Sequence, residues 1–134
     1  MFVLRIKPED CSLLGKEILN FTEQKQLSMT EMARQTGITQ PGLRAIVLKT
    51  GSPTKINIDK LARVMGKSPS ELYQLVYEEK LKIIAFPHDP NFLLGIFNNL
   101  LKSFWKYAAH LPKNKRPSDY ELFDKAFKII KFFN

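Results

Sequence analysis

Residues Ser28 to Leu48, SMTEMARQTGITQPGLRAIVL, decide how the rest of this chain is read. The stretch predicts two short helices joined by a tight turn, with the second helix offered outward. Ala33 is small and lies on the first helix, where two helices approach most closely. Gly37 follows four residues later at the turn, where a left-handed backbone is cheap only for glycine. Ile38 is an apolar plug, and the Thr39 hydroxyl can cap the next helix. Leu43 and Ile46 recur at i and i+3 and are expected to face inward. Gln40, Pro41 and Arg44 are left on the outer face, where a glutamine amide and a guanidinium suit the edges of bases.

Working backward, Leu14, Ile18 and Phe21 recur at i, i+4 and i+7 and predict a helix from about Leu13 to Gln26, capped near Ser12. Ser28 with Glu31 three residues on reads as a capping box for the next helix. Met1 to Lys7 alternates loosely between apolar and basic residues and reads as a short strand or arm, ended by Pro8. Working forward, the outward helix is expected to finish near Lys49-Thr50-Gly51, with Gly51 as its C-terminal cap. Thr54 or Asn57 is the candidate cap of a fourth helix carrying Ile58, Leu61, Ala62 and Met65 and stopping at Gly66. Ser68-Pro69-Ser70-Glu71 is the strongest helix start in the chain and opens a fifth helix to about Ile84.

Two prolines within Phe86-Pro87-His88-Asp89-Pro90 break that helix. Eight of the ten phenylalanines lie from Phe86 onward. Asn91 to Leu111 predicts a long helix with Leu93, Phe97, Leu100, Phe104 and Ala108 on one face, widened by Leu94, Leu101 and Trp105. After a basic loop, Ser118 and Glu121 open a last helix carrying Tyr120, Phe123, Phe127, Ile130 and Phe133. The expected organisation is therefore an arm over 1–11, a head over 12–85 and an aromatic-rich helical extension over 86–134.

With 44% hydrophobic and 25% charged residues, the chain reads as one soluble globular domain with an extension. Its net charge is +8, which suits a polyanion. Between Arg34 and Lys67, seven cations (Arg34, Arg44, Lys49, Lys55, Lys60, Arg63, Lys67) face one acid, Asp59, a local net of +6. The single cysteine, Cys11, cannot form an internal disulfide and fits a reducing compartment. Neither a signal peptide nor a membrane-spanning run is expected, so the cytoplasm, in association with the nucleoid, is the expected location. Cys11, His88 and His110 are too scattered for metal ligands, and no glycine loop cradles phosphate. No catalytic, metal or cofactor site is expected.

From Leu13 to Leu75, about half the chain, the pattern resembles the lambda-repressor-like Cro/C1 (XRE) family. The likeness rests on Leu27-Ser28, Ala33, Gly37-Ile38-Thr39-Gln40, Leu43 and Ile46, with Gly51, Pro53-Thr54 and Leu61-Ala62 at family-like spacings. It implies an all-α fold: a five-helix DNA-binding head with a two-helix C-terminal extension. It also implies a dimeric DNA-binding regulator, by family habit a repressor, with its third helix in the major groove. Two departures stand out. Met29 occupies a position where the family often has glutamine, and Pro41 and Gly42 remove two side chains that commonly make polar contacts.

On the residues themselves, Gln40 is the best base reader because its amide can both donate to and accept from adenine. Arg44, one turn on, can fork onto guanine, and Pro41 sits between them. Thr39, Arg34, Lys49 and Lys55 are the expected phosphate contacts. The aromatic extension is too small to be comfortable alone, so Phe97, Phe104, Trp105, Phe123 and Phe127 are expected to pair two copies as a homodimer. The alternative is a protein-interaction adaptor or antitoxin-like module on the same scaffold. The sequence names no small-molecule effector.

Overall fold

The computed structural model describes residues 7–49, 53–85 and 89–132. Among them are seven α-helices: α1 (Leu13–Gln24), α2 (Met29–Thr36), α3 (Gln40–Val47), α4 (Lys55–Met65), α5 (Pro69–Ile84), α6 (Pro90–Ala108) and α7 (Asp119–Phe132). The fold is all-α. No helix among the described residues is long and apolar enough to cross a membrane. The expected strand or arm at Met1 to Ile6, the Gly51 cap and the Pro87-His88 break lie outside the described residues.

Two compact units divide at Val76 and Tyr77. The sequence suggested a boundary near Phe86. The division lies within α5, whose Tyr77 is buried and stacks on Phe97 and Phe123.

In the first unit each helix begins on a hydroxyl that satisfies an orphan amide. Ser12 accepts from Gly15, Ser28 from Glu31, Thr39 from Gly42, Thr54 from Asn57 and Ser68 from Glu71, at 2.8, 3.1, 3.1, 3.2 and 3.3 Å. The Ser28 box is only half a box, since the Glu31 carboxylate turns away to Arg34 and Gln35. Two helices end on glycine in the left-handed region, Gly37 at φ +75° and Gly66 at φ +68°. α1 ends two residues before the expected Gln26, and Gln26 itself takes φ +55°. There the Leu27 amide donates to the Thr22 carbonyl and the Gln26 amide to the Glu23 carbonyl, at 2.8 and 3.2 Å. This is a Schellman ending with glutamine in the place glycine usually fills.

The core of this unit comes from one face of each helix. Leu14 and Ile18 of α1, Met32 of α2, Leu43 and Val47 of α3, Ile58 and Leu61 of α4 and Leu72 of α5 are all 2% exposed or less. Each such side chain contributes about 1.5–3 kcal/mol through burial. α3 packs on both α1 and α2, and α2 also packs on α4. Met29, at the position where the resemblance suggested glutamine, is buried as well.

The second unit is organised around an aromatic cluster. Tyr77 stacks on Phe97 and Phe123 at centroid distances of 5.9 and 5.6 Å, and Phe127 tilts against it at 5.6 Å. Phe97 lies 5.8 Å from Phe123, and Trp105 meets Phe123 edge-on at 5.6 Å. The Tyr77 hydroxyl donates to Asp124, which also holds Lys128 at 2.9 Å. Lys80 lies over the Tyr77 ring at 4.6 Å, and burial lowers its pKa from the ordinary value. Arg116 closes the end of α6 by donating to the carbonyls of Leu111 and Ala109 at 2.9 and 3.2 Å.

The inward stripe of α6 is Leu93, Phe97, Leu101 and Ala108, with Leu100 and Phe104 only half-buried at its edge. On α7 the buried face is Leu122, Phe123, Ala126 and Ile130, and Tyr120, expected inside, is exposed. Period 3.6 places a stripe on a helix, but neighbouring positions compete to be its centre.

Candidate nucleic-acid interface

α3 is held by its inward residues and by both its ends. Leu43, Ile46 and Val47 are buried, while Gln40, Pro41, Arg44 and Ala45 are exposed. The four exposed positions run i, i+1, i+4 and i+5, which is one face of a helix. Pro41 fits in the first turn because the amide it lacks would have no intrahelical acceptor. Gly42 has a structural reason of its own. A Cβ there would come within 2.9 Å of the Thr39 hydroxyl that caps the helix.

The helix is shorter than expected. It ends at Val47 because Leu48 is extended (φ −79°, ψ +151°) and pairs with Cys11 in an isolated antiparallel bridge. Lys49 leaves that bridge exposed, and its amide donates to the Asp10 carbonyl at 3.0 Å. Cys11 is buried in the bridge, and burial raises its thiol pKa, so it is a packing residue and not a reactive thiol.

Gln40 is not loose in solvent. Its amide nitrogen donates to the Thr30 hydroxyl across the turn at 2.6 Å. One N–H is used in that bond. The other N–H and the carbonyl oxygen remain for a base. Thr30 and Ala45 are the two residues of this face that sequence reasoning missed. Ala45 stands one turn beyond Pro41, and that i, i+4 spacing was the available signal; an exposed methyl is what meets the methyl group of thymine. Thr30 carried no signal, because the contact joins two helices.

The seven cations fall into two groups. Arg34 is taken up by the Glu31 carboxylate through Nε at 3.0 Å and through a second, closer contact from its Nη2. That pairing holds the Glu31 carboxyl down to about 2. Arg34, expected as a phosphate contact, is thus paired with Glu31 while its side chain stays largely exposed. Lys60 donates to the Gly37 carbonyl at 3.4 Å, and Lys67 lies 3.5 Å from Glu17 and 3.8 Å from Glu71. Arg44, Lys49, Lys55 and Arg63 make no side-chain hydrogen bond or ion pair among the described residues. Thr39 spends its oxygen lone pair on the Gly42 amide but keeps its own O–H to donate.

The structure thus gathers Gln40, Pro41 and Arg44 on one face. Thr39 caps the helix that carries them and Lys49 lies just past its end; Lys55 opens α4. The residues expected to pair two copies stand differently. Phe97 and Phe123 are fully buried within their own chain and cannot present a surface, while Phe104, Trp105 and Phe127 are half-buried.

Residues 18–72 match the family model described as helix-turn-helix. The match begins inside α1 and ends inside α5, so it spans the whole of the α2–turn–α3 unit. No curated protein and no solved structure gives a significant match.

Proposed function

Since residues 18–72 form a Cro/C1-type (XRE) helix-turn-helix domain, a DNA-binding regulatory class and not an enzyme family, we propose that this chain is a sequence-specific, intracellular transcriptional regulator. It inserts α3 into the major groove and represses by occupying a promoter. The observation that carries this reading is the outward face of α3, where Gln40 and Arg44 project one turn apart with Pro41 and Ala45 beside them. Gln40 suits adenine, Arg44 suits guanine or a phosphate, and the two small apolar residues suit thymine methyl groups. Lys49, Lys55 and the Thr39 hydroxyl supply phosphate contacts that position the helix without reading sequence.

The regulator acts as a homodimer on a two-fold site, with its two copies of α3 about 34 Å apart. Support for placing the pairing surface on the second unit comes from its exposed Phe92, Tyr107 and Phe132, apolar surface beyond what its own core uses. Selection of bound fragments from a random duplex pool tests both parts. Recovery of an inverted repeat with half-sites about 10 base pairs apart supports the dimer. Recovery of a single short asymmetric site refutes it, and recovery of no preferred sequence refutes sequence-specific reading.

A second reading, a protein-interaction adaptor on the same scaffold, is favoured by one observation. Pro41 and Ala45 bring no polar side-chain group to the outer face of α3. A salt series on random duplex separates the two. A DNA binder loses affinity steeply as salt rises, and an adaptor has little affinity to lose.

A further inference from the structure

We propose that the start of α1 is a positioning device for the recognition helix, with Ser12 as its positioning residue and Gly15 as the gap into which the end of α3 seats. The proposal rests on the DNA-reading function above and adds to it a determinant of specificity that lies off the DNA-facing surface.

Three hydrogen bonds and one close backbone approach fasten the end of α3 and the residues just past it to residues 10–15. The Ser12 amide donates to the Val47 carbonyl at 2.9 Å. The Ser12 hydroxyl, buried at 9% exposure, lies 3.2 Å from the Ile46 carbonyl and 3.4 Å from that of Val47, so its one hydrogen is shared between them. The Lys49 amide donates to the Asp10 carbonyl at 3.0 Å, and this bond with that of the Ser12 amide makes up the Cys11–Leu48 bridge. Gly15 packs so closely that a Cβ there would stand 2.0 Å from the Val47 carbonyl oxygen.

The same Ser12 oxygen also accepts from the Gly15 amide at 2.8 Å. One hydroxyl therefore satisfies an orphan amide at the start of α1 and orphan carbonyls at the end of α3. The two helix ends are locked to each other instead of to water. The opposite end of α3 is fixed separately, by the Thr39 cap and by Gln40 on Thr30. The outer face of α3 is thus suspended between two anchors.

Base reading and phosphate contact respond differently when an anchor goes. A bidentate pair to a base edge tolerates only a few tenths of an ångström before its hydrogen bonds weaken. Lysines on long flexible stems follow a phosphate through such a shift. Loosening the α1 anchor therefore lowers discrimination while leaving charge-driven affinity in place.

The test compares Ser12→Ala, Ser12→Thr and a control, Met65→Ala on α4, at temperatures matched to equal fractions of each variant's Tm. Two quantities are read: the ratio of affinities for a duplex selected from a random pool and for random duplex, with its salt slope, and the backbone amide NMR shifts of free protein. Ser12→Ala is expected to move the amide resonances of Gln40 to Leu48 and to lower the ratio about tenfold at unchanged salt slope. Ser12→Thr, which keeps the hydroxyl, restores most of the ratio, and Met65→Ala leaves it alone. A Ser12→Ala protein that matches Met65→Ala in ratio, with shifts confined to residues 10–16, overturns the proposal. If the wild-type chain prefers no sequence, the DNA-reading function fails, and the NMR shifts alone then decide the anchor: movement along α3 sustains it and stillness overturns it.

Discussion

The Gln40 amide donates to the Thr30 hydroxyl at 2.6 Å, tying the first residue of α3 to the second residue of α2. The bond orients the amide before any partner arrives, so less side-chain entropy is lost on binding. The family resemblance placed a common glutamine at the first residue of α2, where this chain has Met29. Met29 at that position is buried in the core, and Thr30, one residue on, supplies the oxygen.

Thr30→Val keeps the shape of the side chain and removes the acceptor. It is expected to cost about 1 kcal/mol of discrimination at the base pair that Gln40 reads, with the salt slope unchanged. Thr30→Ser is expected to preserve discrimination. Titration of single-base variants of the selected site measures both.

Gln40→Ala and Lys55→Ala should separate reading from holding. The first is expected to narrow the gap between selected and random duplex by about 1–3 kcal/mol at one base pair. The second should weaken both duplexes alike and reduce the salt slope by about 0.9. Equal effects on the ratio would remove Gln40 from its role as reader.

Glu31 controls a cation as well as a helix turn. Its carboxyl pKa is lowered to about 2, first by the hydrogen bond from Arg34 and next by that from Gln35. A depressed carboxylate contributes stability that is present above its unfolded pKa and is lost as pH falls toward the folded one. The contribution of this pair should be constant from pH 7 to about 5 and fade between about 4.3 and 2. Arg34 is exposed and Glu31 half-buried at the surface, so the effect is small and salt-sensitive. Glu31→Gln is expected to release Arg34 for phosphate, which would steepen the salt slope by about 0.9 on random duplex. An unchanged slope would show that Arg34 does not reach the backbone even when free.

Two backbone substitutions should move stability in opposite directions. Gln26 holds φ +55° without being glycine, so Gln26→Gly is expected to raise stability by about 0.5 kcal/mol, relief of strain being partly offset by a more disordered unfolded chain. Gly37 at φ +75° has nothing within 4 Å of a would-be Cβ. Gly37→Ala should therefore cost about 1–2 kcal/mol from the backbone alone. Urea titrations with unchanged m values would check both.

Phe123→Ala distinguishes core from interface. Phe123 is fully buried and touches Tyr77, Phe97 and Trp105. Its removal is expected to cost about 3–5 kcal/mol and to unfold the second unit. Dissociation of a dimer with near-UV circular dichroism intact would instead return Phe123 to the pairing surface.

Much of the fold was legible in the chain because its signals are local. A hydroxyl three residues ahead of an amide, a glycine at a left-handed turn and an apolar residue every third or fourth position act within one helix. Ser12, Ser28, Thr39 and Ser68 were therefore identifiable as caps, Thr54 as one of two candidates with Asn57, and Leu43 and Ile46 as inward residues, from spacing alone. The outward placement of Gln40, Pro41 and Arg44 follows from the same period. What the sequence could not determine depends on which helices meet. Gln40 finds Thr30, Arg34 is taken by Glu31 while Arg44 has no such partner among the described residues, and Ser12 fastens the end of α3. Phe97 and Phe123 close on Tyr77 of α5. Each of those outcomes is a competition among partners separated in sequence or on the same helix face. Only the packed chain, by fixing distances to a few tenths of an ångström, selects among them.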